Sequence, residues 1–415
     1  MKRLNVGFVG LGKLGKIAAE TINEYHVVFG YDINPEIEGS FYKSNSLEEC
    51  VKGRDIVLVA VQTPHDERYD GREPTSHLPP KDFDYEHIKN VVADIDKLVD
   101  NNTLIAVIST MLPGTVRREI APLVNNGRFI YNPYLIAQGT VQHDMKNPEM
   151  IMIGTDNGEE DDDVKLLYDL YDPMVPDNTR YEIGTWEEIE AVKVFYNTFI
   201  SAKLSLVNMI QDVAMNIGHM DAAVVAQALA NSKMRIMGPS YMKPGYGDGG
   251  GCHPRDNIAL RVLNDKFNLG YDLFDSIMKA REEQAANMAR YCLKFQKDIV
   301  ILGSSFKPGL KKQTEGSPSM LVGWYCEKLN SYYKVHYIDK DDKAPDDKPY
   351  TYLIHDKDLA PEIFPEGSVI VDPQRKLQPN DEEQGTMNCR VYHYGNSRHG
   401  EAGSVVEPEL EKLVL

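Results

Sequence analysis

A glycine-rich stretch over residues 244–256 carries a single cysteine, Cys252. Five of the seven residues before Cys252 are glycine, so the backbone there can adopt positive φ angles and approach a ligand closely. Arg255 and Asp256 follow. A nearby guanidinium lowers the pKa of a thiol, and a carboxylate can transfer protons. The pattern therefore indicates a nucleophilic thiolate, the alternative being a flexible surface loop whose cysteine has no role.

A second glycine pattern lies near the start of the chain. An apolar run at residues 4–9 is followed by GLGKLG at 10–15, an amphipathic segment, a second apolar run and an acid. This order of strand, glycine turn, helix, strand and acid is the dinucleotide-binding fingerprint, in which the helix N-terminus binds a pyrophosphate. Because a carboxylate repels a 2′-phosphate, the pattern favours NAD over NADP. The candidate cofactor contacts are Gly10, Gly12, Leu14, Gly15 and Asp32.

Further apolar runs place polar residues where ligands bind. The run at 55–61 predicts a buried parallel strand, and Thr63 and Pro64 come just after it. Another strand is predicted at 104–108 and leads to Thr110. Ligands of open α/β sheets bind at the carboxyl ends of the strands, so Thr63, Pro64 and Thr110 are also candidate NAD contacts.

The order of the predicted elements gives the fold class. Strands and helices alternate through about residue 155, which predicts a doubly wound parallel sheet. A long helix over 186–217 has apolar residues on more than one face, so we expect one side to bind a second subunit. Another long helix, over 256–294, is interrupted near 268–270. We predict an α/β protein with two Rossmann-like doubly wound parallel-sheet domains, 1–180 and 297–415, joined by an all-helical central domain, 181–296.

Composition argues against several kinds of partner. The 415 residues carry a formal net charge of −18, which disfavours non-specific nucleic-acid binding. The five cysteines are scattered without CxxC or Cys/His clusters, so neither a disulfide framework nor a metal site is indicated. No apolar run in the sequence approaches membrane-spanning length. We expect a cytoplasmic protein that binds no metal, no nucleic acid and no membrane.

The motifs, taken in order over residues 4–375, resemble the UDP-glucose/GDP-mannose dehydrogenase family. Between and after the two glycine patterns lie AVxTP, STxxPGT, NPxxxxxG followed by HDxxNP, a helix with Lys193 and Asn197 one turn apart, and FKP at 306–308. The resemblance implies oxidation of the C6 hydroxymethyl group of a nucleotide sugar to a carboxylate, using NAD twice per turnover. With the long helix, it implies a homodimer or a higher homo-oligomer.

The resemblance also implies roles for individual residues. Lys193 and Asn197 project from one helix face and would bind the C6 oxygen, although such a pair could equally be a solvated polar stripe. Cys252 would attack the aldehyde and form a thioester, which water releases with Asp256 as general base and Thr110 assisting. Asp256 could also cap a helix. Substrate contacts are implied for Tyr134, Gln138, Lys193, Arg235, Gly249 and Lys307, with Arg235 reaching the substrate of a neighbouring subunit.

Two positions depart from the family pattern. Tyr134 and Gln138 stand where the family commonly has glutamate, the first implicated in water activation and the second in substrate binding. A phenol, whose ordinary pKa is about 10, cannot act as a base at neutral pH. We therefore expect that Asp256 alone activates water, or that hydrolysis of the thioester slows.

UDP-glucose is the favoured substrate, because residues 132–154 are closer to the glucose/mannose branch of the family than to the N-acetylhexosamine branch. One alternative is a two-electron 3-hydroxy-acid dehydrogenase, which has a similar lysine/asparagine helix but needs neither Cys252 nor a second α/β domain. Another is a sugar-nucleotide-binding protein that has lost turnover, suggested by Tyr134 and Gln138. The presence of Lys193, Asn197, Cys252 and Asp256 together argues against it.

Overall fold

A computed structural model describes most of the chain. The described residues are 3–64, 78–79, 81–137, 139–217, 219–238, 245–250, 253–254, 257, 261, 265–310, 312–343, 346–361, 363–374, 376–377, 389–392 and 394, with only the backbone of residues 204, 205, 208 and 211. The chain divides into two compact units, Met1–Leu204 and Ser205–Leu415. Each unit contains its own β-sheet.

The described part of the first unit contains an eight-stranded sheet in the order β3-β2-β1-β4-β5-β6-β7-β8. The strands are β1 Asn5–Val9, β2 Val27–Tyr31, β3 Tyr42–Lys43, β4 Ile56–Val59, β5 Leu104–Val107, β6 Arg128–Tyr131, β7 Ile151–Thr155 and β8 Tyr181–Thr185. Neighbours from β1 to β6 are parallel, which confirms the predicted doubly wound sheet. The order reverses between β1 and β4, the point at which such sheets bind ligands.

Helices cover both faces of this sheet. Ile56 and Leu58 of β4 pack on one face, while Val57 and Val59 pack on the other, and all four are 0% exposed. The continuous apolar run of β4 is therefore explained by burial on both sides. The helices are α1 Gly15–Asn23, α2 Leu47–Val51, α3 Glu86–Asp96, α4 Val141–Lys146 and α5 Asp162–Tyr171.

The last two strands differ from the purely parallel sheet that the alternating pattern predicted. Strand β7 pairs antiparallel with β6 through Tyr131 and Gly154, and β8 runs parallel to β7. Mixed sheets commonly carry such strands at an edge, where they pair with backbone groups that the edge strand would otherwise expose. Strand β8 belongs to this first sheet, so the sheet extends five residues beyond the domain boundary predicted at residue 180.

Long helices follow the first sheet. Helix α6, Trp186–Ile217, confirms both ends of the predicted helix, and α7, Ala222–Ala230, comes next. The second predicted long helix breaks as expected, since Asn268 and Gly270 have φ angles of 47° and 82°. After this break Asp272 caps α8, Leu273–Leu293, by accepting a 2.8 Å hydrogen bond from the Asp275 amide.

The described part of the second unit contains a five-stranded parallel sheet in the order β10-β9-β11-β12-β13. The strands are β9 Ile299–Leu302, β10 Val335–Ile338, β11 Thr351–Ile354, β12 Val369–Val371 and β13 Arg390–Tyr392. Helix α8 and helix α9, Pro318–Leu329, pack on one face of it. The parallel sheet confirms the second Rossmann-like domain, while β11 and β13 were not predicted from the sequence.

None of the helices in the described part of the chain combines the length and the apolar character that crossing a lipid bilayer requires.

Candidate active site

The glycine turn after β1 has the geometry of a dinucleotide site. Gly10 has a φ of +97°, and a Cβ atom there would lie 2.7 Å from the Ala60 carbonyl oxygen. A Cβ atom on Gly15 would lie 2.0 Å from the Gly10 carbonyl oxygen. A Cβ atom on Gly12 would meet nothing closer than Gln62, at 4.0 Å. Packing within the protein thus explains Gly10 and Gly15, while the open space at Gly12 suits a closely approaching ligand.

The surroundings of this turn fit the two ends of a dinucleotide. Helix α1 begins at Gly15, and Leu14 at its N-cap provides no side-chain hydrogen bond, so the helix N-terminus can bind a pyrophosphate. Asp32 follows β2 and accepts hydrogen bonds from the Leu11 amide at 2.7 Å and the Asn34 amide at 2.9 Å. These contacts orient a partly exposed carboxylate at the turn, where it can accept from ribose hydroxyl groups.

The candidates after β4 and β5 lie side by side. The Thr63 hydroxyl donates a 2.9 Å hydrogen bond to the Thr110 carbonyl oxygen. The Pro64 carbonyl oxygen accepts a 2.9 Å hydrogen bond from the Asp84 amide. Thr63 and Thr110 therefore occupy neighbouring places on the carboxyl edge of the sheet, as the sequence predicted.

Lys193 reaches the same edge from helix α6. Its ammonium group donates to the carbonyl oxygen of Tyr134, which follows β6. The side chain is partly buried, and this burial lowers the pKa of the Lys193 ammonium. Asn197 lies one helical turn further along α6 and is exposed. The structure thus places Lys193 next to Tyr134 and presents Asn197 one turn away.

Tyr134 contributes its backbone, not its phenol, to the contact with Lys193. The Tyr134 and Tyr171 hydroxyl groups are hydrogen-bonded to each other at 3.0 Å, and the Tyr171 hydroxyl donates its proton to the side-chain oxygen of Asn132. Asn132, 0% exposed, donates in turn to the Met152 carbonyl oxygen at 2.7 Å. Burial raises the pKa of the Tyr134 phenol further above its ordinary value, so this phenol is no base at neutral pH.

A buried acid that the sequence analysis missed lies one turn before Lys193. Glu190 is 0% exposed, and its two oxygens accept from the Gly114 amide at 2.6 Å and the Val116 amide at 2.7 Å. Burial raises the pKa of Glu190 to about 7, although these hydrogen bonds oppose the rise. Glu190 thus ties α6 to the segment that follows Thr110. Its spacing from Lys193 was visible in the sequence, but its amide partners lie more than 70 residues away.

In the second unit residues 245–250 of the glycine-rich loop pack on the carboxyl edge of the second sheet. The Tyr246 hydroxyl donates a 3.1 Å hydrogen bond to the Ile354 carbonyl oxygen at the end of β11. A Cβ atom on Gly249 would lie 2.8 Å from the Phe306 carbonyl oxygen. Lys307 is the next residue, so the structure brings two predicted substrate contacts, Gly249 and Lys307, into one region.

Lys307 lines a cavity of about 270 Å³ at this edge. Gly303, Asp339 and His355 also line it. Burial lowers the pKa of His355 to about 4, so that its ring is neutral at neutral pH. Lys307 is exposed and supplies a positive charge that suits a phosphate group.

A glycine turn like the first one follows β9 in the second sheet, but here a side chain of the turn itself bonds to the acid. Gly303 has a φ of +99°, and the Ser304 amide donates a 2.8 Å hydrogen bond to Asp339, just as the Leu11 amide does to Asp32. The Ser304 hydroxyl also donates to Asp339, which is only 5% exposed. With its carboxylate buried and bonded by Ser304, this turn is less suited to ribose hydroxyls than the first.

The remaining predicted site residues are exposed or lie outside the described part. Arg235 is exposed beside Met234 and Ile236, which are 85% and 53% exposed. Gln138, Cys252 and Asp256 lie outside the described residues. Within the described residues no three His, Cys, Asp or Glu side chains are grouped so as to hold a metal ion.

Models of two domains of one protein family match this chain. The NAD binding domain of the UDP-glucose/GDP-mannose dehydrogenase family matches residues 35–175, and the central domain of that family matches residues 187–283. Together the two ranges cover more than half of the 415 residues. The chain belongs to the UDP-glucose/GDP-mannose dehydrogenase family.

Individual relatives are similar at low identity. The chain is 25% identical to a GDP-mannose 6-dehydrogenase of Pseudomonas putida, over 74% of each chain. It is 23% identical to a UDP-glucose 6-dehydrogenase of Rickettsia typhi, over 72% of this chain and 67% of that one. A solved GDP-mannose dehydrogenase of Pseudomonas aeruginosa has a TM-score of 0.75 at 20% identity, covering 94% of this chain and 99% of that one, which shows the same fold.

Family membership confirms the resemblance seen in the motifs. The protein is an NAD-binding oxidoreductase of the nucleotide-sugar dehydrogenase family. The matched NAD-binding range begins just after Asp32. The geometry of the turn is therefore what supports Gly12 and Asp32 as candidate NAD contacts.

The glycine turn gives a paired prediction. Gly12→Ala should weaken NAD binding roughly tenfold or more, because its Cβ atom enters the space left for the pyrophosphate, and should change the unfolding free energy by less than about 0.5 kcal/mol. Gly15→Ala should cost about 1–3 kcal/mol of stability because of overlap with Gly10. Urea denaturation measures the unfolding free energy of each variant, and NAD titration measures its affinity for NAD. Unchanged NAD affinity in Gly12→Ala would contradict the assignment.

Glu190 predicts a pH dependence of stability. Its pKa is about 7 in the folded protein against 4.5 for the ordinary group, so between these values the folded protein holds a proton that the unfolded chain has released. The Glu190 contribution is therefore complete below about pH 4.5 and is lost as pH rises through about 7. Glu190→Gln should flatten this decline in chemical denaturation between pH 5 and 8.

The matched control is Glu48→Gln, which changes an exposed glutamate on α2 and should keep the wild-type pH dependence. Parallel stability curves for Glu190→Gln and the wild type would show that the buried carboxylate does not titrate in this range.

Proposed function

We propose that this protein uses NAD to oxidise the C6 hydroxymethyl group of a nucleotide hexose to a carboxylate, with UDP-glucose as the substrate. The observation that carries the proposal is the position of Lys193, whose ammonium lies at the carboxyl edge of the NAD-binding sheet. An oxidation by NAD needs the reacting carbon at this edge, and an ammonium there can stabilise charge on its oxygen. Family membership supports the same reaction class.

Lys193 and Asn197 are proposed to bind the C6 oxygen. The Tyr134 carbonyl holds one N–H bond of Lys193 and leaves two others for the substrate. Asn197 adds an amide donor from the next turn of α6. Partial burial of Lys193 strengthens its hydrogen bonds, because fewer water dipoles screen them.

Two oxidations and one hydrolysis then lead to the acid. When bound, NAD supplies the acceptor for the hydride released in each oxidation. The first oxidation leaves an aldehyde, whose carbon forms a bond with the Cys252 sulfur while its oxygen takes a proton. Loss of a second hydride and of that proton leaves a thioester. Water, deprotonated by Asp256 with help from Thr110, breaks the carbon–sulfur bond and yields the carboxylate and the free thiol.

The environment of Tyr134 supports Asp256 as the base. The phenol lies in a hydrogen-bonded group with Tyr171 and Asn132, and its pKa is raised. Neither its position nor its acidity suits water activation. Tyr134 and Gln138 remain proposed substrate contacts, with the Tyr134 backbone as the part that faces Lys193.

The second unit is proposed to bind the nucleotide. Lys307 provides a cation for the diphosphate, and Gly249 lets the glycine loop approach the sugar. UDP-glucose and GDP-mannose share the diphosphate and the C6 hydroxymethyl group. Relatives named for each of them match at similar identity, so GDP-mannose is the second candidate.

Exposed apolar side chains support a homodimer or a higher homo-oligomer. Phe195 and Phe199 of α6 are 57% and 52% exposed, and Val224 of α7 is 67% exposed. Patches of this kind commonly mark protein interfaces. Arg235, exposed beside Met234 and Ile236, is proposed to contact the substrate of a neighbouring subunit. A free catalytic thiol suits the reducing cytoplasm. The division into three domains belongs to the same proposal, with β8 added to the first domain and the second boundary kept at 296.

The covalent step predicts the behaviour of Cys252→Ser. This variant should lose NAD reduction with UDP-glucose and GDP-mannose in steady state, because no thiol captures the aldehyde, while its affinity for the sugar nucleotide stays near the wild-type value. NADH absorbance and calorimetric titration measure the two properties. Unchanged turnover would rule out the cysteine route.

A neighbouring-subunit role for Arg235 predicts complementation. Arg235→Ala and Cys252→Ser subunits, each inactive alone, should regain part of the activity when mixed, because some sites then contain both wild-type residues. Exchange is followed with differently tagged subunits. Full exchange without regained activity would place Arg235 outside the neighbouring site.

A further inference from the structure

The glycine loop before Cys252 has one charged residue, Asp248. A segment so rich in glycine loses much conformational entropy when it is ordered. Contacts from outside the loop must therefore fix its conformation. Tyr246 provides one such contact, since its hydroxyl binds the Ile354 carbonyl oxygen and its ring packs edge-on against His355 with the centroids 4.9 Å apart.

The second contact is an ion pair with helix α8. Arg281 Nε donates to Asp248 Oδ1 at 2.6 Å, and the two side chains are only 11% and 27% exposed. Such partial burial makes the pair less screened than a surface ion pair. The aliphatic part of Arg281 also lies beneath Gly247, where a Cβ atom would be 3.5 Å from Arg281 Cγ.

The same arginine reaches the segment that leads into α9. Arg281 Nη2 donates to the Gly316 carbonyl oxygen at 3.4 Å, and the Gly250 amide donates to that oxygen at 3.2 Å. The loop is thus connected to α8 and to the start of α9 through one side chain and one carbonyl group. Cys252 follows Gly250 by two residues, or at most about 7 Å of extended chain.

We propose that Arg281, through Asp248, is a positioning residue that fixes the glycine loop and thereby the place of the Cys252 thiol. The inference rests on the proposed function of Cys252. Arg281 is proposed to act through the loop and not by contact with the substrate. Because the pair connects the loop to the helix that covers the second sheet, its loss should displace the thiol without unfolding the domain.

Four variants test the proposal in the full-length enzyme. Arg281→Met and Asp248→Ala each remove the pair from one side, and the double variant removes both partners. Arg281→Lys keeps a cation opposite Asp248. The control is Lys279→Met, which removes an exposed cation two residues earlier on α8 that pairs with Asp275 of the same helix.

We expect Arg281→Met and Asp248→Ala each to lower kcat by about 10- to 100-fold while the KM for NAD stays unchanged, because misplacement of a reacting group by about 1 Å has effects of this size. The double variant should be no worse than either single one, since the two residues act as a unit. Arg281→Lys should recover part of kcat, and Lys279→Met should match the wild type.

A second readout needs no turnover. Iodoacetamide modification of Cys252 in the substrate-free enzyme, followed by peptide mass spectrometry, should change in rate in Arg281→Met and Asp248→Ala but not in Lys279→Met. Cys50, Cys292 and Cys326 are 0% exposed and serve as unreactive internal references. If the wild type oxidises no nucleotide sugar, the proposed function fails while this rate still tests the positioning.

Two results would overturn the proposal. One is a wild-type kcat and a wild-type rate of Cys252 modification in Asp248→Ala, a variant whose changed side chain lies in the loop. The other is full additivity of the two single effects in the double variant, which would show that Arg281 and Asp248 act separately. If the first result came with a lower melting temperature, the pair would contribute to stability alone.

Discussion

Two polar contacts, one helical turn apart, fix helix α6 to the carboxyl edge of the first sheet. Glu190 binds the Gly114 and Val116 amides, and Lys193 binds the Tyr134 carbonyl group. The Glu190 carboxylate is fully buried, and the loss of its hydration raises the pKa of Glu190. The second contact holds the Lys193 ammonium at the edge of the sheet where the reacting carbon is proposed to bind. Thr110, Lys193 and Asn197 depend on this attachment for their relative positions.

The two sheets use one turn for different purposes. In both, an amide of the turn binds an acid at the end of the neighbouring strand, Asp32 in the first and Asp339 in the second. Asp32 remains partly exposed, whereas Asp339 is buried and accepts hydrogen bonds from the Ser304 amide and hydroxyl groups. The Asp32 carboxylate can therefore accept hydrogen bonds from ribose hydroxyls. At the second turn the exposed charged residue beside the cavity is Lys307. The same backbone device thus supports an NAD site in one unit and a proposed nucleotide-sugar site in the other.

The sequence predicted those features that depend on local pattern. Helix α6 was predicted at both ends, and the break at Asn268 and Gly270 lay where its residue types indicated. Strand β13 has three residues in a polar tail, too few for an alternating pattern to be recognised. The contacts of Glu190 and Arg281 were not predicted, because their partners are distant in sequence. The amides bound by Glu190 lie more than 70 residues away, and Asp248, bound by Arg281, lies 33 residues away. Such contacts are set by the tertiary fold.

One enzyme is proposed to carry out both oxidations at C6. The direct measurement is the amount of NADH formed when a limiting, known quantity of UDP-glucose or GDP-mannose is consumed with NAD in excess, together with mass analysis of the product. We expect two NADH per sugar and a product in which the C6 hydroxymethyl group has become a carboxylate. One NADH per sugar, with an aldehyde as the final product, would contradict it.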